Sequence, residues 1–307
     1  MKKKALIIGY GSIGRRHANL LKKIKKINKI FIISNQKFKK FIKVKNILEA
    51  KKIDPDYILI CSRTSDHLKH LSVVEKNFKN KIILVEKPLF DKKEKLKIKK
   101  NNVYIGYNLR FDPVLNFIKR FIRNKEVLSV SCICQSYLPF WRKNIDYKKS
   151  NSAKKKYGGG ALLELSHEID YIQWMLNGSL NLKFSSLRKI SNLKINTEDD
   201  VFIFGKIKKA DISINLNFHS IQPFRTITIF GKNFYLKGDL IKHKIEINYK
   251  NKKSIKKNFE YNANHTYLLQ HSSILDNKKK NLCNYNQAKK LMILIDKIRS
   301  YKGYENR

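Results

Sequence analysis

Acidic residues are scarce in this sequence. Asp and Glu total 24 against 67 Lys and Arg, giving a formal net charge of +43 over 307 residues. Such an excess is the electrostatic footprint of a phosphate-binding surface, but a second scarcity weakens that reading. Only 11 residues are Arg, whereas nucleic-acid surfaces use Arg for bidentate contacts and interleave basic runs with aromatics. Lysine runs from end to end beside abundant Ile and Asn, the residues that AT-rich codons encode. The charge therefore reads as solvated surface, with no specific nucleic-acid partner. Cysteine is also sparse: Cys61, Cys132, Cys134 and Cys283 form no CxxC pair and lie near no His cluster. That excludes a disulfide framework and a metal site, and points to reduced, buried thiols. No apolar run approaches the roughly 20 residues of a membrane helix. The lysines at positions 2–4 resemble the start of a signal peptide, yet Ala5 to Ile8 is too short for its apolar region. The expectation is a cytoplasmic protein with no membrane partner.

With 42% hydrophobic residues the chain holds enough apolar material for ordinary cores, and its length suits two domains of about 150 residues. The first third alternates short apolar runs with helical stretches. Ala5–Ile8, Lys29–Ile33, Asp56–Ile60, Lys81–Val85 and Val103–Tyr107 read as buried strands, with helices over about 13–26 and after Asp66. Strand-helix alternation of this kind predicts an α/β fold with a doubly wound parallel sheet, a Rossmann domain, over residues 1–112. After Pro113 a helix runs to about Arg123, followed by a strand from Val127 to Tyr137 in which Cys132 and Cys134 share one face. An aromatic and charged loop covers 138–157, and a glycine triplet, Gly158–Gly160, leads into a helix over about 161–176. Alternating segments at 201–204, 212–216 and 226–230 predict a large, mostly antiparallel open sheet. Residues 113–307 thus read as an α+β domain, with a last helix over about 287–301 that packs back on the first.

Gly9-Tyr10-Gly11-Ser12-Ile13-Gly14 is a GxGxxG run between a strand and a helix. Its first glycine permits a tight turn, its second lets backbone approach a pyrophosphate, and its third lets helix pack on strand. An acidic residue about twenty positions on would grip the ribose of NAD. The second strand ends instead at Ile33-Ser34-Asn35-Gln36-Lys37, where Ser34 and a lysine suit a 2′-phosphate. Glu86-Lys87-Pro88 directly follows a buried strand, at the edge where such sheets bind ligands. There a desolvated lysine can exchange protons, and the proline sets the turn, in cis or trans.

The order of Gly9–Gly14, Arg15-Arg16-His17, Asp66-His67, Glu86-Lys87-Pro88 and Gly106-Tyr107-Asn108-Leu109-Arg110-Phe111 resembles the Gfo/Idh/MocA oxidoreductases. The resemblance continues through Tyr137–Arg142, Asp146-Tyr147 and Gly158–Asp170, where it looks like a branch associated with surface-polysaccharide sugars. It implies a nicotinamide dinucleotide held by Gly9, Gly11, Ser12, Ile13, Gly14, Ser34, Cys61, Ser62, His67, Glu86 and Lys87. It further implies a sugar, nucleotide sugar or polyol lying on the second sheet against Asn108, Arg142, Tyr147, Glu164 and Asp170. Hydride would pass between nicotinamide and a carbinol carbon, with Lys87 and His167 as the catalytic acid/base pair and Asp170, three residues on, orienting His167 or binding substrate. Many members carry Asp four residues before this histidine. Here that position is Leu163, and Glu164 stands in or merely caps.

Family members often pair through the open sheet, which implies a homodimer or homotetramer. The rival reading is a non-catalytic dinucleotide-binding regulator of the same fold, for which both Lys87 and His167 would be superfluous. The missing acidic residue after the second strand tilts the cofactor toward NADP over NAD. The expected outcome is a lower KM for NADPH than for NADH, and a strong NADH preference in steady-state kinetics would reverse it.

Overall fold

Apolar runs of three to five residues form the first sheet, because strands covered on both faces need no alternation. The computed structural model describes residues 2–142, 145–250 and 252–301. In it, β1 (Lys3–Ile8), β2 (Ile27–Ile33), β3 (Ile42–Lys43), β4 (Tyr57–Ile60), β5 (Ile82–Val85) and β6 (Asn102–Ile105) pair in parallel in the order β6-β5-β4-β1-β2-β3. Ala5 to Ile7 and Ile58 to Ile60 are fully buried. The chain moves outward from β1 to β3 and then crosses to β4 on the other side, so the order reverses between β1 and β4. Helices α1 (Ser12–Leu21) and α2 (His67–Asn77) follow β1 and β4.

Helix α3 (Pro113–Phe121) opens the second unit. Asp112 caps it, its carboxylate accepting from the amides of Val114 (2.9 Å) and Leu115 (3.2 Å), with Pro113 where a missing N–H costs nothing. The eight-stranded sheet comprises β7 (Val127–Tyr137), β8 (Asn181–Arg188), β9 (Asp200–Ile207), β10 (Ala210–Asn217), β11 (His219–Gly231), β12 (Phe234–Asp239), β13 (Lys244–Tyr249) and β14 (Lys252–Asn258). Its order is β14-β13-β12-β11-β7-β10-β9-β8, antiparallel throughout except for β7 beside β10. On β7 Val130, Cys132 and Cys134 are buried while Ser131, Ile133 and Gln135 on the opposite face are half-exposed. All four cysteines are buried free thiols.

Several expectations are corrected. Helix α1 stops at Leu21, because the lysine-rich 22–26 stretch offers no buried face to continue it and closes in tight turns. The helix expected over 161–176 is two, α4 (Ala161–Glu164) and α5 (His167–Leu176), broken where Leu165 leaves helical backbone with ψ +25°. Strands β12 to β14 escape a periodicity reading because lysine dominates their exposed positions; every residue of β14 is exposed. Helix α6 (His265–Leu275) and strand β15 (Cys283–Asn284) were also unanticipated. The compact units are Met1–Asn108 with Asn264–Met292, and Leu109–Ala263 with Ile293–Arg307. The segment 264–292 joins the first unit because β15 pairs antiparallel with β6, Cys283 opposite Ile105, and α6 packs beside α1. The division passes within the last helix, α7 (Tyr285–Arg299).

None of the helices among the described residues is long and apolar enough to cross a membrane. Truncating Ile7, fully buried in the central strand, is expected to cost about 2–5 kcal/mol in urea denaturation, from lost transfer energy and the cavity left behind. Ile255→Ala in β14, half exposed, is expected to change stability by less than about 0.5 kcal/mol.

Candidate functional site

The register of the first sheet sets the site. Ile33, Ile8, Ile60, Val85 and Ile105 are mutual partners on adjacent strands. The residues that leave the sheet next are therefore Ser34, Gly9, Cys61, Glu86 and Gly106, one row along the carboxyl edge. In a doubly wound sheet that edge, at the reversal between β1 and β4, is where ligands bind.

Each glycine has a different reason. Gly9 has φ +96°, and a side chain there would come within 2.7 Å of the Cys61 oxygen and the Ser62 amide. A Cβ at Gly14 would overlap the Gly9 carbonyl, so the third glycine is what lets α1 lie against β1. A side chain at Gly11 would meet nothing within 4 Å. Gly11 is also the N-cap of α1, with no side chain to satisfy the first amides. The arrangement fits a pyrophosphate: open space, free helix-end donors and the positive end of the helix dipole. At the end of β2, the Ser34 hydroxyl accepts from the Gln36 amide (3.1 Å), and the Arg15 guanidinium donates to the Gln36 side chain (2.7 Å). Arg15 is thus linked through Gln36 to the Ser34 turn, a cation that sequence spacing did not single out.

Lys87 is half-buried at the end of β5, and the Lys87–Pro88 bond is cis. His67, expected against the cofactor, is 1% exposed and lies under this turn. Its Nδ1 faces the Pro88 carbonyl (3.0 Å) and its Nε2 the Ser62 carbonyl (3.2 Å). Burial lowers its pKa. It therefore ties the loop after β4 to the turn after β5 and is corrected from a ligand contact to a support. Glu86 is also buried: its Oε1 accepts from His17 Nε2 (2.8 Å), and its Oε2 faces the Lys87 amide (3.3 Å). Behind His17, its Nδ1 meets Nε2 of His271 on α6 (2.8 Å), whose Nδ1 meets the Tyr57 hydroxyl (2.9 Å). Burial pushes the His271 imidazole well below its ordinary range and raises the Cys61 thiol and the Tyr57 phenol well above theirs. Cys61 is thus a buried thiol beside the glycine turn. Asn108, expected at substrate, is buried and donates to the Thr266 hydroxyl (2.6 Å).

In the second unit, His167 is the first residue of α5 and 9% exposed. Asp170 lies one turn on, but its carboxylate takes the buried guanidinium of Arg110 through two bonds, Nε (2.9 Å) and Nη2 (2.7 Å). A buried carboxylate held by a fork is a fixed ion pair. Arg110, quoted only as part of a motif, is its partner. The neighbouring Glu168 is fully buried and held by Arg225 (2.7 and 3.2 Å), a pair invisible in the sequence because the two lie 57 residues apart. Glu164 is separated from His167 by the break at Leu165 and Ser166, so the helical offset expected to align them does not operate; it accepts from the Ser152 hydroxyl (2.7 Å). Ser152 lines a small pocket with Trp141, Arg142, Tyr147 and Ser150, so the structure gathers Arg142, Tyr147 and, through Ser152, Glu164. Trp141 donates to the Ser136 hydroxyl (2.8 Å) and meets Phe218 edge-on. Of the glycine triplet, the last is explained by Glu198. Gly160 has φ +109°, a Cβ there would collide with the Glu198 carboxylate, and that carboxylate accepts from the Leu162 amide at the start of α4 (3.0 Å). Among the described residues no group of three His, Cys, Asp or Glu is arranged to hold a metal ion.

Residues 3–101 match the Gfo/Idh/MocA model, described as an oxidoreductase family with an NAD-binding Rossmann fold. Glucose-6-phosphate 3-dehydrogenase of Bacillus subtilis is 25% identical over 215 residues, 64% of this chain and 60% of that relative's length. Among solved structures, the WlbA dehydrogenase of Bordetella pertussis, in complex with NADH and UDP-GlcNAcA, superposes with a TM-score of 0.76 at 13% identity, covering 97% of this chain and 96% of that one. A super-repressor mutant of Gal80p from Saccharomyces cerevisiae superposes with a TM-score of 0.80 at 13% identity, covering 97% and 95%. At these identities the structural likeness is one of fold.

The buried imidazoles make stability depend on pH. His271 binds its proton more weakly in the folded protein than in the unfolded chain, where the ordinary value is 6.5. The unfolded state therefore takes up more protons as pH falls through 6.5, so stability is complete above that value and is lost below it. His67 and His70, both lowered by burial, act in the same direction. Unfolding free energy measured between pH 7.5 and 5 is expected to fall below about 6.5, by up to about 1.4 kcal/mol per pH unit for each group. In His271→Asn the slope should be shallower by about one proton.

Proposed function

From residues 3–101, which belong to the NAD-binding Rossmann domain of the Gfo/Idh/MocA oxidoreductases, we propose that the protein is an NAD(P)-dependent oxidoreductase. Its substrate would be a sugar, amino sugar, nucleotide sugar or polyol, in surface-glycan biosynthesis, and hydride would move to or from a carbinol carbon. The observation that carries this reading is the single row at the carboxyl edge of the first sheet. Register there puts the glycine turn, the Cys61-Ser62 loop and Glu86-Lys87 side by side.

In this reading Gly9, Gly11, Ser12, Ile13 and Gly14 hold the pyrophosphate at the start of α1. Ser34 supports the adenosine ribose, with Arg15 and Gln36 beside it suited to a 2′-phosphate. Bound there, the nicotinamide supplies the hydride acceptor or donor. The chain's own residues supply the proton chemistry. Lys87 donates a hydrogen bond to the reacting hydroxyl and carries a proton to or from it. His167 is the second acid/base group, and Arg142 and Tyr147 recognise hydroxyls or a phosphate of the substrate. Asp170, tied to Arg110, holds the start of α5 in place. The sugar phosphate in the name of the B. subtilis relative and the nucleotide sugar bound to the B. pertussis dehydrogenase set the classes to test first.

The test is a panel of sugars, sugar phosphates and nucleotide sugars followed by nicotinamide absorbance. With the best substrate, Lys87→Ala is expected to lower kcat at least about 100-fold, the contribution of a positioned acid/base group. Turnover close to wild type in that variant would remove Lys87 from the chemistry.

A further inference from the structure

Four buried side chains of the first unit, none of them counted among the acid/base groups above, form one hydrogen-bonded line from strand to helix to helix to strand end. Tyr57 on β4 meets His271 on α6, His271 meets His17 on α1, and His17 meets Glu86 after β5, with contacts of 2.9, 2.8 and 2.8 Å. Tyr57, His17 and His271 are fully buried and Glu86 is 7% exposed.

The line has a direction. A carboxylate only accepts, so His17 Nε2 carries the hydrogen it gives to Glu86. If His17 is neutral, its Nδ1 is an acceptor, and His271 must donate from Nε2. The His271 Nδ1 is then an acceptor for the Tyr57 hydroxyl. Every contact holds one hydrogen and every donor is used. The opposite assignment makes His17 an imidazolium and turns His271 around to donate to the Tyr57 oxygen. The Tyr57 hydrogen, fully buried, is left with no acceptor, which a buried donor does not tolerate without loss.

The end of the line matters because Glu86 is pinned. Its Oε1 occupies space that a Cβ at Gly106 would claim, at 2.7 Å, and its Oε2 faces the Lys87 amide at 3.3 Å. Turning the carboxylate would move the peptide that carries Lys87. We propose that Tyr57, His271 and His17 are positioning residues that act through Glu86 to hold Lys87, by a one-way chain of neutral donors. The inference rests on Lys87 having the role given above. It also gives the 264–292 segment a reason to join the first unit, since that segment supplies His271.

Two measurements test it separately from that role. Long-range proton–nitrogen correlation on the ¹⁵N-histidine-labelled protein, without substrate, reads the tautomers directly. His17 and His271 are each expected to show a protonated Nε2 and a bare Nδ1 from pH 6.5 to 8; a doubly protonated His17, or the Nδ1-protonated form of either, overturns the chain. In kinetics, Tyr57→Phe keeps the ring and removes only the first hydrogen. It is expected to lower kcat by about 10–100-fold, the usual cost of misplacing a reacting group, while KM for the dinucleotide stays within about twofold. In the Lys87→Ala background the same change should cost less than about twofold, because the two act through one group. Full kcat in Tyr57→Phe with a crippled Lys87→Ala overturns the positioning role and leaves the proposed function standing. Normal turnover in Lys87→Ala removes the catalytic role of Lys87 and the positioning role with it, and the nitrogen spectra still decide the chain of donors.

Discussion

The closeness of α1 to β1 is the contact on which the first unit depends. It exists because residue 14 has no side chain: any Cβ there would strike the Gly9 carbonyl. With the helix drawn in, its N-cap Gly11 borders open space, and its second turn carries His17 to Glu86. One missing side chain thus sets both the start of the helix and the place of the histidine beneath it.

Parallel register then spreads that placement sideways. Strands paired level with one another end level, so Ser34, Gly9, Cys61 and Glu86 emerge together although they are far apart in sequence. Below this row the structure is held by buried polar groups that satisfy one another: His67 between two loop carbonyls, Glu86 at the end of a histidine line, Asn108 on Thr266. Polar groups removed from water must find partners, and here the partners are what tie together the turns at the carboxyl edge. The second unit uses the same device with charge, in the Arg110–Asp170 and Arg225–Glu168 pairs on the first turn of α5.

What was legible in the sequence follows from range. The GxGxxG turn, the strands that precede it and Glu86-Lys87-Pro88, and the alternation along β7 are local patterns, imposed by sterics and by the need to bury one face or both. They were read correctly without partners. The break between α4 and α5 was not, since Leu165 and Ser166 carry no breaker signal. Nor were β12 to β14, whose lysine-dense exposed positions blur their alternation. His271 has no local signal either: α6 brings it against His17 from 254 positions away.

Residue order was therefore sufficient for the existence of a dinucleotide-type turn, for a lysine at a strand end and for two sheets of different kind, because each is written in neighbours a few positions apart. The roles of Asp170, Glu164, His67 and Asn108 were decided only in three dimensions. Each is a hydrogen-bonding group whose meaning is its partner, and those partners, Arg110, Ser152, Pro88 and Thr266, stand from 12 to 158 positions away. Chain folding, and not spacing, chooses which of many polar residues meets which. Among 67 basic residues, local pattern could lift out Lys87, but only packing could show what stands behind it.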